Sequence, residues 1–345
     1  MNFKAGDWVE VRSHHEILAT LDPSGRLENL PFMPEMLQYC GKRFRVFKRA
    51  DKTCDNIAAW SIRRVTNAVH LEGVRCDGMA HGDCEAGCMI FWKEAWLKRA
   101  GNYVPLATDA RPPLSATGRG LCTVESILAA SHTLNSENQM VYSCQATDVL
   151  KFSSPMSAWD PRQYIRDVRS GNLASGLTAG TRPERWLEVV FGVMRLLRSL
   201  MISASNSLGY WYPYLQGSLS KTPVEKLDLQ PGEVVRVRSK EEILGTLDDK
   251  MRNRGLLFDS EMLPYCGNFY RVLRRVHRIV DEKTGKMMNM KNPCIVLEGV
   301  ACQSDFHRMC PRSIYHYWRE NWLERAADAP LPAPARQMAE DCEQC

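Results

Sequence analysis

No stretch of this 345-residue chain approaches the roughly 18 consecutive apolar residues that a membrane span needs. The most apolar segment, Trp186 to Met201, is broken by Glu188, Arg195 and Arg198. The opening Met-Asn-Phe-Lys-Ala-Gly-Asp-Trp lacks the charged and apolar regions of a secretion signal. The expectation is therefore a cytoplasmic protein with no membrane partner. Charge of one sign is also missing: 45 basic against 40 acidic residues leave a net +5 and a pI near 8.5. That is too small an excess to argue for nucleic acid by itself. Walker, Gly-x-Gly-x-x-Gly, Gly-x-Ser-x-Gly and His-Glu-x-x-His motifs are all lacking, which lowers the odds of a common enzyme without excluding a rare one. With 44% hydrophobic and 25% charged residues, wholesale disorder is excluded.

Cysteine, by contrast, is abundant and odd in number, at thirteen. Without an export signal, such cysteines serve more often as metal ligands or buried thiols than as disulfides.

The chain also repeats itself. Residues 6–100 align with 232–326 at a constant offset of 226 without a gap, and about 37 of 95 positions are identical. Glu16-Ile-Leu-Ala-Thr-Leu-Asp returns as Glu242-Ile-Leu-Gly-Thr-Leu-Asp, and Leu71-Glu-Gly-Val-Arg-Cys as Leu297-Glu-Gly-Val-Ala-Cys. A repeat of this length is a whole domain, because solenoid units recur every 20–50 residues or so. The expected organisation is module 1 over 1–101, a middle segment over 102–229, module 2 over 230–327 and a flexible tail over 328–345.

Period-2 alternation at Val9 and Val11, and at Val235 and Val237, predicts a half-buried strand at each module start. Glu16 to Leu21 and Pro34 to Tyr39 read as short helical turns. Further strands are expected at Phe44 to Arg49, Ala68 to Val74, Tyr270 to Arg275 and Cys294 to Val300. Each module closes on a Trp-x3-Trp element, at Trp92 and Trp96 and at Trp318 and Trp322. The Gly-Asp-x-Val-x-Val opening resembles that of small SH3-like barrels of the KOW or Tudor kind. In the middle segment, Pro105 to Gly120 is linker-like and Thr123 to His132 is expected to be helical. Asp160 to Gly171 carries an Asp cap, a first-turn Pro and a terminating Gly. Thr181-Arg-Pro-Glu184 opens a predicted buried helix to about Ser203. The fold class expected is α+β: two homologous, mainly-β modules joined by a mostly helical middle.

The duplication filters the cysteines. Cys40, Cys76, His81 and Cys84 of module 1 match Cys266, Cys302, His307 and Cys310 of module 2, whereas the residues between them differ. Three thiolates and one imidazole suit tetrahedral zinc in a closed, structural site, giving an expectation of two zinc ions per chain. Three buried thiols and a surface histidine are the alternative. Were Cys40 and Cys266 elsewhere, the remaining Cys-His-Cys set would resemble an open, catalytic site. Cys54, Cys88, Cys342 and Cys345 lack counterparts and have no assigned role.

Arginine and aromatics interleave at Arg43, Phe44, Arg45, Phe47 and Arg49 and at Tyr270, Arg271, Arg274, Arg275, His277 and Arg278. Such a strand can track a phosphate backbone, or it can be a solvated face. The Trp pairs fit a partner-binding stripe or a core. Glu72 and Glu298 fit acceptors for a metal-bound histidine or plain strand-end carboxylates. Asp160, Arg162, Tyr164, Arg166, Asp167 and Arg169 fit a site lining or helix-cap and ion-pair roles.

The Cys-Gly-Lys-Arg-Phe-Arg-Val, Leu-Glu-Gly-Val-x-Cys and Trp-x-Glu-x-Trp-Leu patterns resemble an uncharacterised bacterial family with duplicated Cys-rich modules, a resemblance that implies no activity. The functional expectation is a zinc-binding tandem-module adaptor for a protein partner. The alternatives are a nucleic-acid-binding protein and a metal-dependent enzyme of a specialised bacterial pathway, with no catalytic residue assigned.

Overall fold

The computed structural model describes residues 2–57, 61–100, 122–157, 160–173, 215 and 217–326, with 193, 194, 196–198, 200–202, 204 and 205. It is mixed α/β, built from small antiparallel sheets and short helices. The chain divides into two compact units. The first comprises Met1–Cys84, Met89–Ser175 and Val280–Met287, and the second Glu85–Cys88, Gly176–Ile279 and Met288–Cys345.

In the first unit a five-stranded sheet runs Trp92–Lys93, Ala68–Leu71, Arg43–Arg49, Trp8–Val11, Leu97–Arg99. Val9 and Val11 are fully buried while Trp8 and Glu10 face outward, the alternation expected of a one-sided strand. In the second unit the sheet runs Met287–Leu297, Phe269–Val280, Val234–Val237, Leu323–Arg325.

Registers recur 226 positions apart. Val9 pairs with Phe44 and Arg99, and Val235 with Tyr270 and Arg325. Ser13 and Glu16 form a capping box, as do Ser239 and Glu242. The indole of Trp96 donates to Thr20 Oγ1 at 3.1 Å, and that of Trp322 to Thr246 Oγ1 at 2.9 Å. Trp92, Trp96, Trp318 and Trp322 are all fully buried, so the paired tryptophans are core and not an exposed stripe.

A buried carboxylate network recurs too. Glu94 accepts from Arg49 at 2.5 Å and from the Phe3 amide at 3.3 Å. Glu320 accepts from Arg275 at 2.8 Å and from the Leu229 amide at 3.0 Å. Arg43 pairs with Glu10 at 3.1 Å and Arg271 with Glu298 at 3.9 Å. Four of the arginines that could have tracked phosphates are therefore committed to carboxylates.

A mostly helical middle segment is not shown: its described residues include the helices Val124–Ala130, Val149–Phe152 and Pro161–Arg169, helical positions between 193 and 205, and a hairpin that pairs His132–Leu134 with Met140–Tyr142. Its described residues up to 173 belong to the first unit rather than forming a body of their own. Cys122, Ile127, Val149 and Phe152 complete that unit's core. The Gln145 side chain holds Phe91 by accepting from its amide at 2.7 Å and donating to its carbonyl at 3.0 Å. The physical reason is area: a sheet with one buried face needs cover, and the middle segment supplies it. Asp160 caps the Pro161–Arg169 helix, and Asp167 meets buried Lys52 at 2.5 Å, so the polar residues there act as cap and ion pair.

Of the helix expected from Thr181 to Ser203, residues 181–192 lie outside the described residues. The described positions from 193 onward are helical as far as 205, but Val193, Met194, Leu197 and Met201 are exposed rather than buried. The linker around 105–120 and the tail with Cys342 and Cys345 also lie outside the described residues. Among the described residues no helix is long and apolar enough to cross a membrane.

Candidate metal centre

Three pieces of the first unit converge on one point. The 3-10 turn Pro34–Tyr39 begins with Pro34, whose missing N–H suits the first turn, and this turn carries Glu35. Tyr39, at its end, donates its hydroxyl to the Arg75 carbonyl at 3.1 Å and so ties the turn to the strand end preceding Cys76. The third piece is the tight loop 76–84. Gly78 has φ +74°, and a Cβ there would lie 2.0 Å from the Cys84 carbonyl oxygen, so the loop closes only with glycine at that position. The turn Met79–His81 then places His81 inward, 2% exposed.

Ligand atoms of Glu35, Cys76 and His81 all lie within 4.8 Å of one another. Glu35 Oε1 accepts from the Ala80 amide at 3.1 Å and stands 2.5 Å from His81 Nδ1. His81 Nε2 stands 3.1 Å from the Ser143 carbonyl oxygen. A carbonyl only accepts, so Nε2 carries the proton and Nδ1 turns toward the carboxylate and the thiol. A backbone carbonyl fixing one ring nitrogen while the other faces the donor cluster is the support that metal-bound histidines ordinarily have. Glu35 is 5% exposed, and its Oε2 has no hydrogen-bond partner. An unsatisfied buried carboxylate oxygen is costly unless a cation takes it up.

Of the residues singled out from sequence, Cys76 and His81 are thus brought together. Cys40 and Cys84 are not members of the group, whereas Glu35, which sequence reasoning passed over, is. Cys40 follows the 3-10 turn and packs against the hydrophobic core, and burial pushes its thiol up to about 11. Cys84 Sγ accepts from the Val280 amide at 3.2 Å. None of the eleven described cysteines is in a disulfide. Glu72 lies beside Arg45 and not beside His81; burial raises its carboxyl despite that guanidinium.

The second unit places the matching residues differently. Glu261 Oε1 accepts from the Phe306 amide at 2.5 Å, the counterpart of the Glu35–Ala80 bond. Tyr265 donates to the Ala301 carbonyl at 2.6 Å, as Tyr39 does to Arg75. His307, however, turns to Asp259, with Nε2 3.1 Å from Oδ2. Cys302 contacts Ser304 Oγ at 3.4 Å, and burial, followed by the charge of Glu261, pushes its thiol well above the ordinary range. Burial also raises Glu261, with Asp259 and Asp305 adding to the effect. Cys266 packs against its own core and is pushed up to about 11 by burial. Glu261, Cys302, His307 and Cys310 are not drawn within 4.8 Å as a group.

The Glu35 group is the only set of three such donors at that spacing among the described residues. No protein-family profile matches the chain, and no curated protein matches it.

Proposed function

We propose that this chain is a metal-stabilised binding protein in which Glu35, Cys76 and His81 hold a zinc-class divalent ion. The single observation that carries this reading is the buried, unpartnered Glu35 Oε2 beside a thiol and an imidazole whose far nitrogen is already fixed. One sulfur, one nitrogen and one oxygen donor suit the borderline-soft zinc ion. The ion's role is structural, because Glu35 and His81 are almost wholly buried, leaving little room for a substrate. It ties the turn at 34–39 to the loop at 76–84, and through Ser143 to the middle segment.

The adaptor reading rests on the repeat of residues 6–100 as 232–326. A tandem of SH3-like modules inherited from a gene duplication, the first of them zinc-clipped, would present two related surfaces to a protein partner, with avidity if both engage. Nucleic-acid binding is the weaker reading, since Arg43, Arg49, Arg271 and Arg275 are paired with carboxylates.

Elemental analysis of protein purified without chelator tests the proposal. At least one zinc-class ion per chain is expected, and one fewer in C76S. Metal-free protein that takes up no added Zn2+ would overturn it.

A further inference from the structure

The turn at 280–287, which links the strands Phe269–Val280 and Met287–Leu297, belongs to the first unit. Its own residues give it shape. Asp281 Oδ1 accepts from the Lys283 and Thr284 amides at 3.1 and 2.8 Å, and the Asp281 carbonyl accepts from the Gly285 amide at 2.8 Å. What the turn rests on, however, is the framework of the metal centre. The Val280 amide donates to Cys84 Sγ at 3.2 Å, at the end of the loop that carries Cys76 and His81. The Tyr142 amide donates to the Gly285 carbonyl at 2.8 Å, and Val141 bridges to Lys286. A Cβ on Gly82 would lie 2.3 Å from the Tyr142 hydroxyl oxygen and 3.2 Å from Met287 Cε, so the residue after His81 packs directly against both.

We propose that the ion held by Glu35, Cys76 and His81 controls the seating of the turn 280–287: bound, it keeps the turn in place, and its loss releases it. The inference rests on the reading of that centre as a metal site. Gly82 and Cys84 lie just beyond His81, and Val141 and Tyr142 just before Ser143, whose carbonyl fixes the His81 ring. The rings of His81 and Tyr142 also meet edge-on, with centroids 6.4 Å apart. Without the ion, the buried Glu35 Oε2 has no partner, and opening the loop 76–84 to water satisfies it. That opening carries Gly82 and Cys84 away from the turn, which keeps its shape through Asp281 but loses its seat. The coupling is reciprocal, so an unseated turn weakens the binding of the ion by the same factor. Gly285 offers the handle: it has φ +69°, and a Cβ there would stand 2.7 Å from the Tyr142 carbonyl oxygen, so alanine pushes the turn off its seat.

Hydrogen exchange read by mass spectrometry tests this on the whole chain, with Zn2+ and with excess chelator. In wild type, chelation should strip protection from 34–39, 76–84 and 280–287 together, with the five-stranded sheet of the same unit changing less. In C76S, exchange at 280–287 should not respond to Zn2+. A competition titration reads the reciprocal effect: G285A should bind Zn2+ about fivefold or more weakly than wild type. G255A places the same alanine at φ +81° with open space around it, and should bind as wild type does. Zn2+ that protects 34–39 and 76–84 but not 280–287 would overturn the control of the turn and leave the metal centre standing. Wild-type protein that takes up no Zn2+ would overturn both. G285A that folds and binds Zn2+ as tightly as wild type would also overturn the coupling, and if G285A fails to fold the wild-type exchange decides.

Discussion

Glu35 shows what one side chain can decide. One of its oxygens accepts from the Ala80 amide and stands beside His81 Nδ1, and the other has no hydrogen-bond partner among the described residues. E35Q keeps the shape and removes the charge, and should weaken Zn2+ binding at least about tenfold in a competition titration with a chromophoric chelator. Asp148 supports the same corner: its carboxylate meets Arg26 at 2.5 Å and accepts from Ser143 Oγ at 2.9 Å, holding the residue whose carbonyl faces His81. Although burial pushes its pKa up, the bonds from Lys151, Arg26 and Ser143 outweigh this and leave it below the ordinary value of 3.8. A depressed folded pKa means stability that is present above the unfolded value and lost as pH falls through the folded one. Acid unfolding of D148N should therefore show a shallower loss of stability below pH 4 than wild type, starting from a lower stability at pH 7. Cys76 and His81 are legible in the sequence because they persist through the repeat while their neighbours change. Glu35 persists as well, as Glu261, but a lone carboxylate in a helical turn reads as a solvated residue. Only the fold shows it turned inward.

At the scale of elements, pattern and structure agree where burial is one-sided. The alternating valines, the two capping boxes and the Asp160-capped helix form as their residues dictate. The Arg and aromatic strands show where pattern is ambiguous. Arg49 is long enough to leave the sheet and satisfy Glu94, and no periodicity separates that from a solvent-facing arginine. R49M would remove the guanidinium that pairs with buried Glu94 and should cost about 3 kcal/mol, read as a shift in the urea midpoint at unchanged slope. T20V removes the acceptor of the Trp96 indole and should cost about 1 kcal/mol in the same assay. The middle segment was the least legible element. Its apolar residues fit a helix packed on itself as well as cover for a neighbouring sheet, and composition does not distinguish the two.

Across the whole molecule, positions 226 apart share strand pairings and the tryptophan and carboxylate hydrogen bonds, whereas the loops after Cys76 and Cys302 differ. Gly78, which closes the first loop, has Ser304 as its counterpart, and Met33 and Ile90 have Asp259 and His316. Glu35, Cys76 and His81 persist as Glu261, Cys302 and His307, while the residues between that cysteine and histidine differ. Binding to the folded chain alone stabilises it in proportion to the logarithm of free ion over its dissociation constant. The most direct measurement is the thermal unfolding of wild type and C76S, each with Zn2+ and with excess chelator. The account predicts that chelation lowers the wild-type unfolding temperature by several degrees and lowers that of C76S by clearly less. An equal shift in both proteins, or none in wild type, would contradict a metal centre at Glu35, Cys76 and His81.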